Sequence, residues 1–262
     1  DLFEMITGNR NSYAMFKVGG VRRDIENQKI PAIEELLSLV KKKTDMLVGA
    51  VMDDPVIHAR TKGVGILSKE DILNFAAVGP TARASGVDID IRRDDPYAAY
   101  PLVNWKVITA EAGDVFAKAQ VRLLEMYESI SIIDQCLAGL KKEKEGEVDV
   151  KVKHIPEGYG TGRAEAPRGE VFHFVVSDGS NSPARHKIRA PSYTNISTFK
   201  KSCVGQSISD ATISLAAVDP CYCCTERLAV ALDRKSGSRI MNAKEIISHS
   251  TSITNKLLNK NP

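Results

Sequence analysis

No stretch of this sequence comes near the roughly 20 consecutive apolar residues that a membrane-crossing helix requires. No basic start followed by a short apolar core reads as a secretory signal. There is no second cysteine pair to complete a four-ligand zinc site, and no four-cysteine run of the kind that holds an iron–sulfur cluster. The five histidines, His58, His154, His173, His186 and His249, show no metal-ligand spacing. Basic excess is also missing from most of the chain. The formal charge is +3, but the residues after Arg227 carry six Lys or Arg against two acids. The rest is close to neutral, which excludes the electrostatic footprint of a nucleic-acid binder. An initiator methionine is absent, and the opening DLFEMITGNR reads as the middle of an element. The expectation is a fragment, or one piece of a longer gene product.

What the 262 residues do contain is enough apolar sequence for one large domain or two small ones. Apolar residues step by three and four through Ile30–Val51 and again through Asp114–Leu140, predicting two long helices with one apolar stripe each. Asp53-Asp54-Pro55 stops the first. Ser68-Lys69-Glu70-Asp71 resembles a capping box and predicts a short helix to Phe75. Gly79-Pro80 breaks the chain. The texture then changes. Val148–Val152 and Val171–Val176 read as strands, Lys187–Arg189 as a partner for the latter, and the Gly/Pro-punctuated GYGTGRAEAPRGE lies between. Helical texture returns at Asn195–Cys203 and Ser209–Val218. The fold class is mainly α (α+β), multihelical with a small antiparallel sheet.

Chemistry concentrates in Val218-Asp-Pro-Cys-Tyr-Cys-Cys-Thr-Glu-Arg227. Cys221 and Cys224 form a C-x-x-C pair, whose thiolates can converge on one soft metal. Read from the residues alone, structural zinc and inert buried cysteines remain as alternatives. A thioredoxin-like pair lacks its strand-to-helix context. Cys136 and Cys203 are expected to be buried structural cysteines, and Cys223 a small core residue. Arg83, Asp88 and Asp90 are expected to form a structural ion pair, with a proton route as the alternative.

Asp219-Pro220-Cys221-x-x-Cys224-Thr-Glu-Arg227 resembles the C-terminal signature of nickel–iron hydrogenase large subunits. The arginine ending is similar to the energy-converting, membrane-bound branch: formate-hydrogenlyase-type and ferredoxin-linked enzymes. Residues 7–25, the block from Gly63 to Tyr97 containing GPTARASG, EAPRGE (165–170) and APSYTN (190–195) look like the same family in the same order. The resemblance implies a hydrogenase large-subunit or complex I catalytic-subunit fold over residues 1–227. It implies a nickel–iron centre with carbon monoxide and cyanide ligands. Cys221 would be a terminal nickel ligand and Cys224 a bridging one. Arg168 would stand over the metals, Pro167 would line the pocket of the diatomic ligands, and the Ser192 hydroxyl would bond cyanide. Without the motif around it, Arg168 reads as a surface arginine on a hairpin turn.

The same resemblance implies partners. Iron–sulfur clusters would reside in a small subunit, with membrane subunits related to complex I coupling the reaction to ion pumping. The chain itself would be peripheral, on the cytoplasmic face of the membrane. The family's other C-x-x-C lies before the segment resembling TGNR. Residues 228–262 would be a C-terminal extension, removed after Arg227 by a maturation endopeptidase once nickel-insertion proteins have acted, or else a permanent strand and helix. Two other functions go with the same fold, the first also sharing the block around GPTARASG. One is the quinone-site subunit of complex I-like NADH dehydrogenases, which lacks the Asp-Pro-Cys-x-x-Cys ligands. The other is a metal-free scaffold subunit.

Overall fold

The computed structural model describes residues 1–11, 13–144, 146–225, 230–233, 237–240 and 243–258. The chain divides into two compact units, Asp1–Pro220 and Cys221–Pro262.

The first unit is built on two long helices, α2 (Ile30–Met52) and α7 (Val115–Leu140). Ile30, Ile33 and Leu37 of α2 pack with Ile130 and Leu137 of α7, all nearly inaccessible. These are residues of the predicted stripes. Polar ties flank them: the Tyr127 hydroxyl donates to Asp45 at 2.9 Å, and Lys141 pairs with Glu34 at 2.6 Å. Short helices are started by local chemistry. Asp54 accepts from the backbone of Val56 and Ile57 to begin α3 (Pro55–Thr61). Ser68 and Asp71 close a reciprocal capping box on α4 (Lys69–Phe75), as its sequence predicts. Asp114 accepts from Ala117 at the start of α7 and from Gly63, tying that loop down. α1 (Leu2–Thr7), the hairpin of β1 (Phe16–Lys17) and β2 (Gly20–Val21), α5 (Pro80–Arg83) and α6 (Ile91–Asp94) complete the first half.

The sheet is antiparallel, in the order β3 (Gly158–Ala166), β4 (Gly169–Ser177), β5 (Arg185–Arg189). One sequence reading is corrected here, and one gap is filled. The Gly/Pro-punctuated segment between the expected strands contains an edge strand running from Gly158 to Ala166, paired in register from Gly158↔Ser177 to Ala166↔Gly169. β4 needs a partner on each edge, and an edge strand tolerates glycine because little side-chain packing is asked of it. Val148–Val152, expected as a strand, forms only an isolated bridge between Asp149 and Gly20. After the sheet come α8 (Pro191–Asn195), a 3₁₀ turn (Ile196–Thr198), α9 (Phe199–Cys203) and α10 (Ile208–Ala217).

The second unit contains one turn of helix, α11 (Tyr222–Thr225), an antiparallel pair β6 (Val230–Asp233) and β7 (Gly237–Ile240), and helix α12 (Ala243–Leu258). The strand and helix anticipated after Arg227 are both present, the strand beginning at Val230. No described helix is long and apolar enough to cross a membrane.

Candidate functional site

Arg168 owes its place to a tight turn. β3 and β4 are joined by two residues, Pro167 and Arg168, between the paired Ala166 and Gly169. Proline presets its own φ for a turn. The turn meets the start of α5 backbone against backbone. A Cβ on Gly79 would lie 2.4 Å from the Arg168 carbonyl oxygen, and one on Gly169 would lie 2.6 Å from Val78. Both glycines also have positive φ, 68° and 125°. No other residue type permits this approach.

Asn195 fastens the contact. Its side chain is fully buried, accepts from the Val78 N–H at 2.9 Å, and donates to the carbonyls of Val78 at 3.2 Å and Arg168 at 3.1 Å. Ser192, one helical turn earlier on α8, is equally buried. APSYTN is therefore a clamp on the arginine turn as well as the carrier of Ser192. Sequence reading named Ser192 and missed Asn195. The available signal was an amide at a buried i, i+3 position from Ser192, which needs partners for both of its polar atoms. Pro167 is exposed.

The Arg168 guanidinium donates from Nε to the Asp219 carbonyl at 2.8 Å and from Nη2 to the Asp219 carboxylate at 3.2 Å. Asp219 follows α10 with φ of 57°, a left-handed conformation unusual for a non-glycine residue and more so before proline. Arg168 thus holds the backbone two residues ahead of Cys221, and is no free surface arginine.

Behind the hairpin lies a buried ionic cluster. Arg83, 1% exposed, donates from Nε to Glu125 at 2.7 Å and from Nη1 to Glu165 at 2.9 Å, and pairs with Asp90 at 3.3 Å. Arg92 grips Asp90 through two bonds, 2.9 and 2.6 Å, and stacks over Trp105. Burial presses the Arg83 guanidinium toward neutrality, but Glu125 and Glu165 outweigh it and the pKa is raised. Burial raises the Glu165 carboxyl, opposed by Arg83. The expected ion pair of Arg83 with Asp90 is present. Asp88 is not part of it, pairing instead with Arg93 at the surface, 2.6 Å away.

Cys221 and Cys224 lie in the second unit. They are separated by one turn: the Cys224 N–H donates to the Cys221 carbonyl at 3.1 Å, and the Thr225 hydroxyl donates to the same oxygen at 2.9 Å. That i, i+3 spacing puts both on one face of the turn. Both are partly buried whereas Cys223 is exposed, so Cys223 is not the core residue expected. Cys136 and Cys203 are also only partly buried. Among the described residues no group of three or more His, Cys, Asp or Glu side chains is placed to hold a metal. Arg227 falls outside the described residues.

Comparison with known proteins agrees with the geometry of the first unit. The family model "Respiratory-chain NADH dehydrogenase, 49 Kd subunit" matches residues 1–155 and 149–227. A subunit of the NADH-quinone oxidoreductase of Herpetosiphon aurantiacus is 36% identical over 223 residues, covering 84% of this chain and 60% of that protein. Membrane-bound hydrogenase subunit alpha of Pyrococcus furiosus is 32% identical over 249 residues, covering 90% of this chain and 58% of that protein. The chain therefore spans about three-fifths of the length of these relatives. Among solved structures, the membrane-bound sulfane sulfur reductase, an archaeal respiratory membrane complex, matches with a TM-score of 0.78 and 30% identity, over 84% of this chain and 61% of that one. The mainly helical architecture with its small antiparallel sheet is thus that of an oxidoreductase superfamily, and the chain belongs to the family of the 49 kDa subunit of the respiratory-chain NADH dehydrogenase.

Proposed function

We propose that this chain is part of the catalytic large subunit of an energy-converting nickel–iron hydrogenase, interconverting two protons and two electrons with H₂. The observation that carries the reading is the pairing of Cys221 and Cys224 on one face of a turn, with Cys223 outside it. The donor chemistry fits. Two soft thiolates suit nickel and iron better than hard oxygen-seeking cations. They would be two of the thiolates that such a centre needs. When bound, the nickel–iron pair supplies the heterolytic chemistry of H₂.

The protein's own residues have separable tasks. Cys221 and Cys224 would hold the metals, and a thiolate Sγ can take up the proton released on H₂ cleavage. Arg168 is permanently charged and held at Asp219, so it presents a fixed positive field beside the chain that leads into Cys221. Pro167, in the same turn, and Ser192, on α8, would be the contacts for the diatomic ligands. Electrons would leave to a partner subunit carrying iron–sulfur clusters, and complex I-like membrane subunits would place the assembly at the cytoplasmic face. The segment after Arg227 would be removed by a maturation endopeptidase after nickel insertion. An intact-mass measurement of the native mature subunit is expected to end at Arg227; a mature chain ending at Pro262 would refute this step.

The test of the main reading is metal analysis with infrared spectroscopy on the complete native complex. Nickel and iron together with bands of bound carbon monoxide and cyanide are expected. A complex without nickel and without those bands ends the reading. One observation favours a second reading: the similarity to an NADH-quinone oxidoreductase subunit over most of this chain. On that reading the chain is part of a quinone-reacting subunit, and the metal-free complex would reduce quinone.

A further inference from the structure

The β4–β5 ribbon brings together two histidines that stand 13 residues apart in the chain, a separation that carries no ligand pattern by itself. Residues paired across an antiparallel ladder share a face, and faces alternate along each strand. His173 lies opposite Ile188, and His186 opposite Val175. The two imidazoles are therefore diagonal neighbours on one face, within reach of each other. Their ring centres are 5.0 Å apart, and Nδ1 of His173 is 2.8 Å from Nε2 of His186. His186 is exposed and His173 half-buried, so the pair faces solvent.

Three features suit this pair to a metal ion. The spacing is that of a chelate: two metal–nitrogen bonds of about 2.0 Å at a right angle place their nitrogens about 2.8 Å apart. A tetrahedral ion would set them about 3.3 Å apart. Right-angled sites belong to copper(II) and nickel(II), and imidazole is a suitable ligand for both. The face is also open. β3 sets Gly162 beside His173 and Gly160 beside Val175, and a Cβ at either glycine would meet nothing within 4 Å. Water or a small ligand can therefore complete the coordination. Lastly, the cations of β5 are turned away: Arg185 and Lys187 alternate with His186 and stand on the other face.

We propose that His173 and His186 form a two-point site for a divalent ion of the copper(II) or nickel(II) kind, and that the ion clips β5 to β4. The bonding atoms are Nδ1 of His173 and Nε2 of His186. Each ring then carries its proton on the far nitrogen, Nε2 of His173 and Nδ1 of His186. Two neutral rings hold two protons before and after binding, so the proton shared between them only moves to the far nitrogen of the ring that held it. No electron is transferred. β5 is an edge strand of five residues, and it runs straight into α8, which carries Ser192 and Asn195. The ion thus fixes the strand from which the Asn195 clamp departs. The proposal is independent of the hydrogenase reading, since it uses neither Cys221 nor Cys224.

The test uses the complete native complex, with nickel(II) chloride as the probe and His173→Gln, His186→Gln and His154→Gln as variants. Equilibrium dialysis of wild type is expected to show one nickel ion taken up per subunit beyond the metal the complex already carries. His154→Gln is expected to keep that uptake. Removing either member of the pair turns a chelate into a single contact, so each of the other two variants is expected to bind about tenfold more weakly or not at all. Nickel is also expected to raise the melting temperature of wild type by an increment that both pair variants lack. Equal uptake by wild type and both pair variants would overturn the proposal, as would a loss confined to one of the two. Should the variants fail to assemble, acylation of histidine by diethyl pyrocarbonate in the wild-type complex decides. Nickel is expected to protect both residues, read by peptide mass spectrometry. His173 and His186 acylated as fast at saturating nickel as without it would overturn the site.

Discussion

At the scale of single residues, the first unit holds buried cations whose partners come from distant segments of the chain. Arg83 faces three carboxylates from three segments: Asp90, Glu125 and Glu165. Replacing it with methionine leaves those carboxylates without their shared cation. Arg83→Met is expected to destabilise the fold by about 3–5 kcal/mol, measured by chemical denaturation. Lys118 is the opposite case. It is fully buried with one hydrogen bond, from Nζ to the Gly65 carbonyl at 2.8 Å. Burial pushes its pKa down to about 8, opposed by Asp114. In the unfolded chain an ordinary lysine stays protonated to about pH 10.4. Between those two values the unfolded chain binds the extra proton, so stability contributed by this group rises with pH through that window. Below pH 8 the cost of burying the ammonium is present in full. Wild type is accordingly expected to gain stability relative to Lys118→Met between pH 8 and 10; a constant difference would contradict the assignment. Neither Arg83 nor Lys118 could be ranked from sequence by burial. A charged residue on a helix reads as solvated, and only the meeting of distant segments makes it otherwise. Arg83 with Asp90 was legible because they stand seven apart in one block, whereas Glu125 and Glu165 enter from other elements.

At the scale of elements, helices were legible and the hairpin was less so. The two long helices declare a period over more than twenty residues each, and the short ones announce themselves by Asp54, Ser68 and Asp114 at their starts. β3 declares nothing of the kind, since its Gly-x-Gly-x-Gly opening has no apolar alternation and it becomes a strand only because β4 offers an unpaired edge. The turn it leads to is held by Asn195 and by two glycines. Asn195→Ala would orphan the Val78 N–H and two carbonyls. The expected loss is about 3 kcal/mol, with earlier hydrogen exchange in the Val78–Gly79 segment than in α7. Gly79→Ala would place a methyl 2.4 Å from the Arg168 carbonyl at a positive φ. On the hydrogenase reading proposed above, this substitution is expected to lower nickel retention in the complete complex, and to do so more than Asn195→Ala, because the backbone itself has to retreat.

At the scale of the whole molecule, the family was legible because several short blocks keep one order along nearly the entire chain, and 1–155 and 149–227 are the residues that match. The choice within that family was not, because it turns on two sulfur atoms and not on the fold. The relatives above include both an NADH-quinone oxidoreductase subunit and a hydrogenase subunit at similar identity, 36% and 32%. Fold and chemistry are separable here, as they are wherever a site is carried by a few residues on a shared scaffold. On the proposed hydrogenase reading, Cys221→Ser or Cys224→Ser is expected to abolish nickel binding while leaving the first unit folded, read by metal analysis beside circular dichroism. Cys223→Ser, on the outward side of the turn, is expected to retain nickel. Loss of metal from Cys223→Ser with retention in Cys221→Ser would show that the ligand register is shifted.

The glycine-to-glycine seat under Arg168 has one more implication. Because two backbones without Cβ atoms meet there, no side chain has to be matched to position 168 for the turn to sit where it does. The terminal group at that position can therefore be exchanged across evolution, or by an engineer, with its point of attachment left unaltered, so differences in reactivity among such variants would report the head group alone.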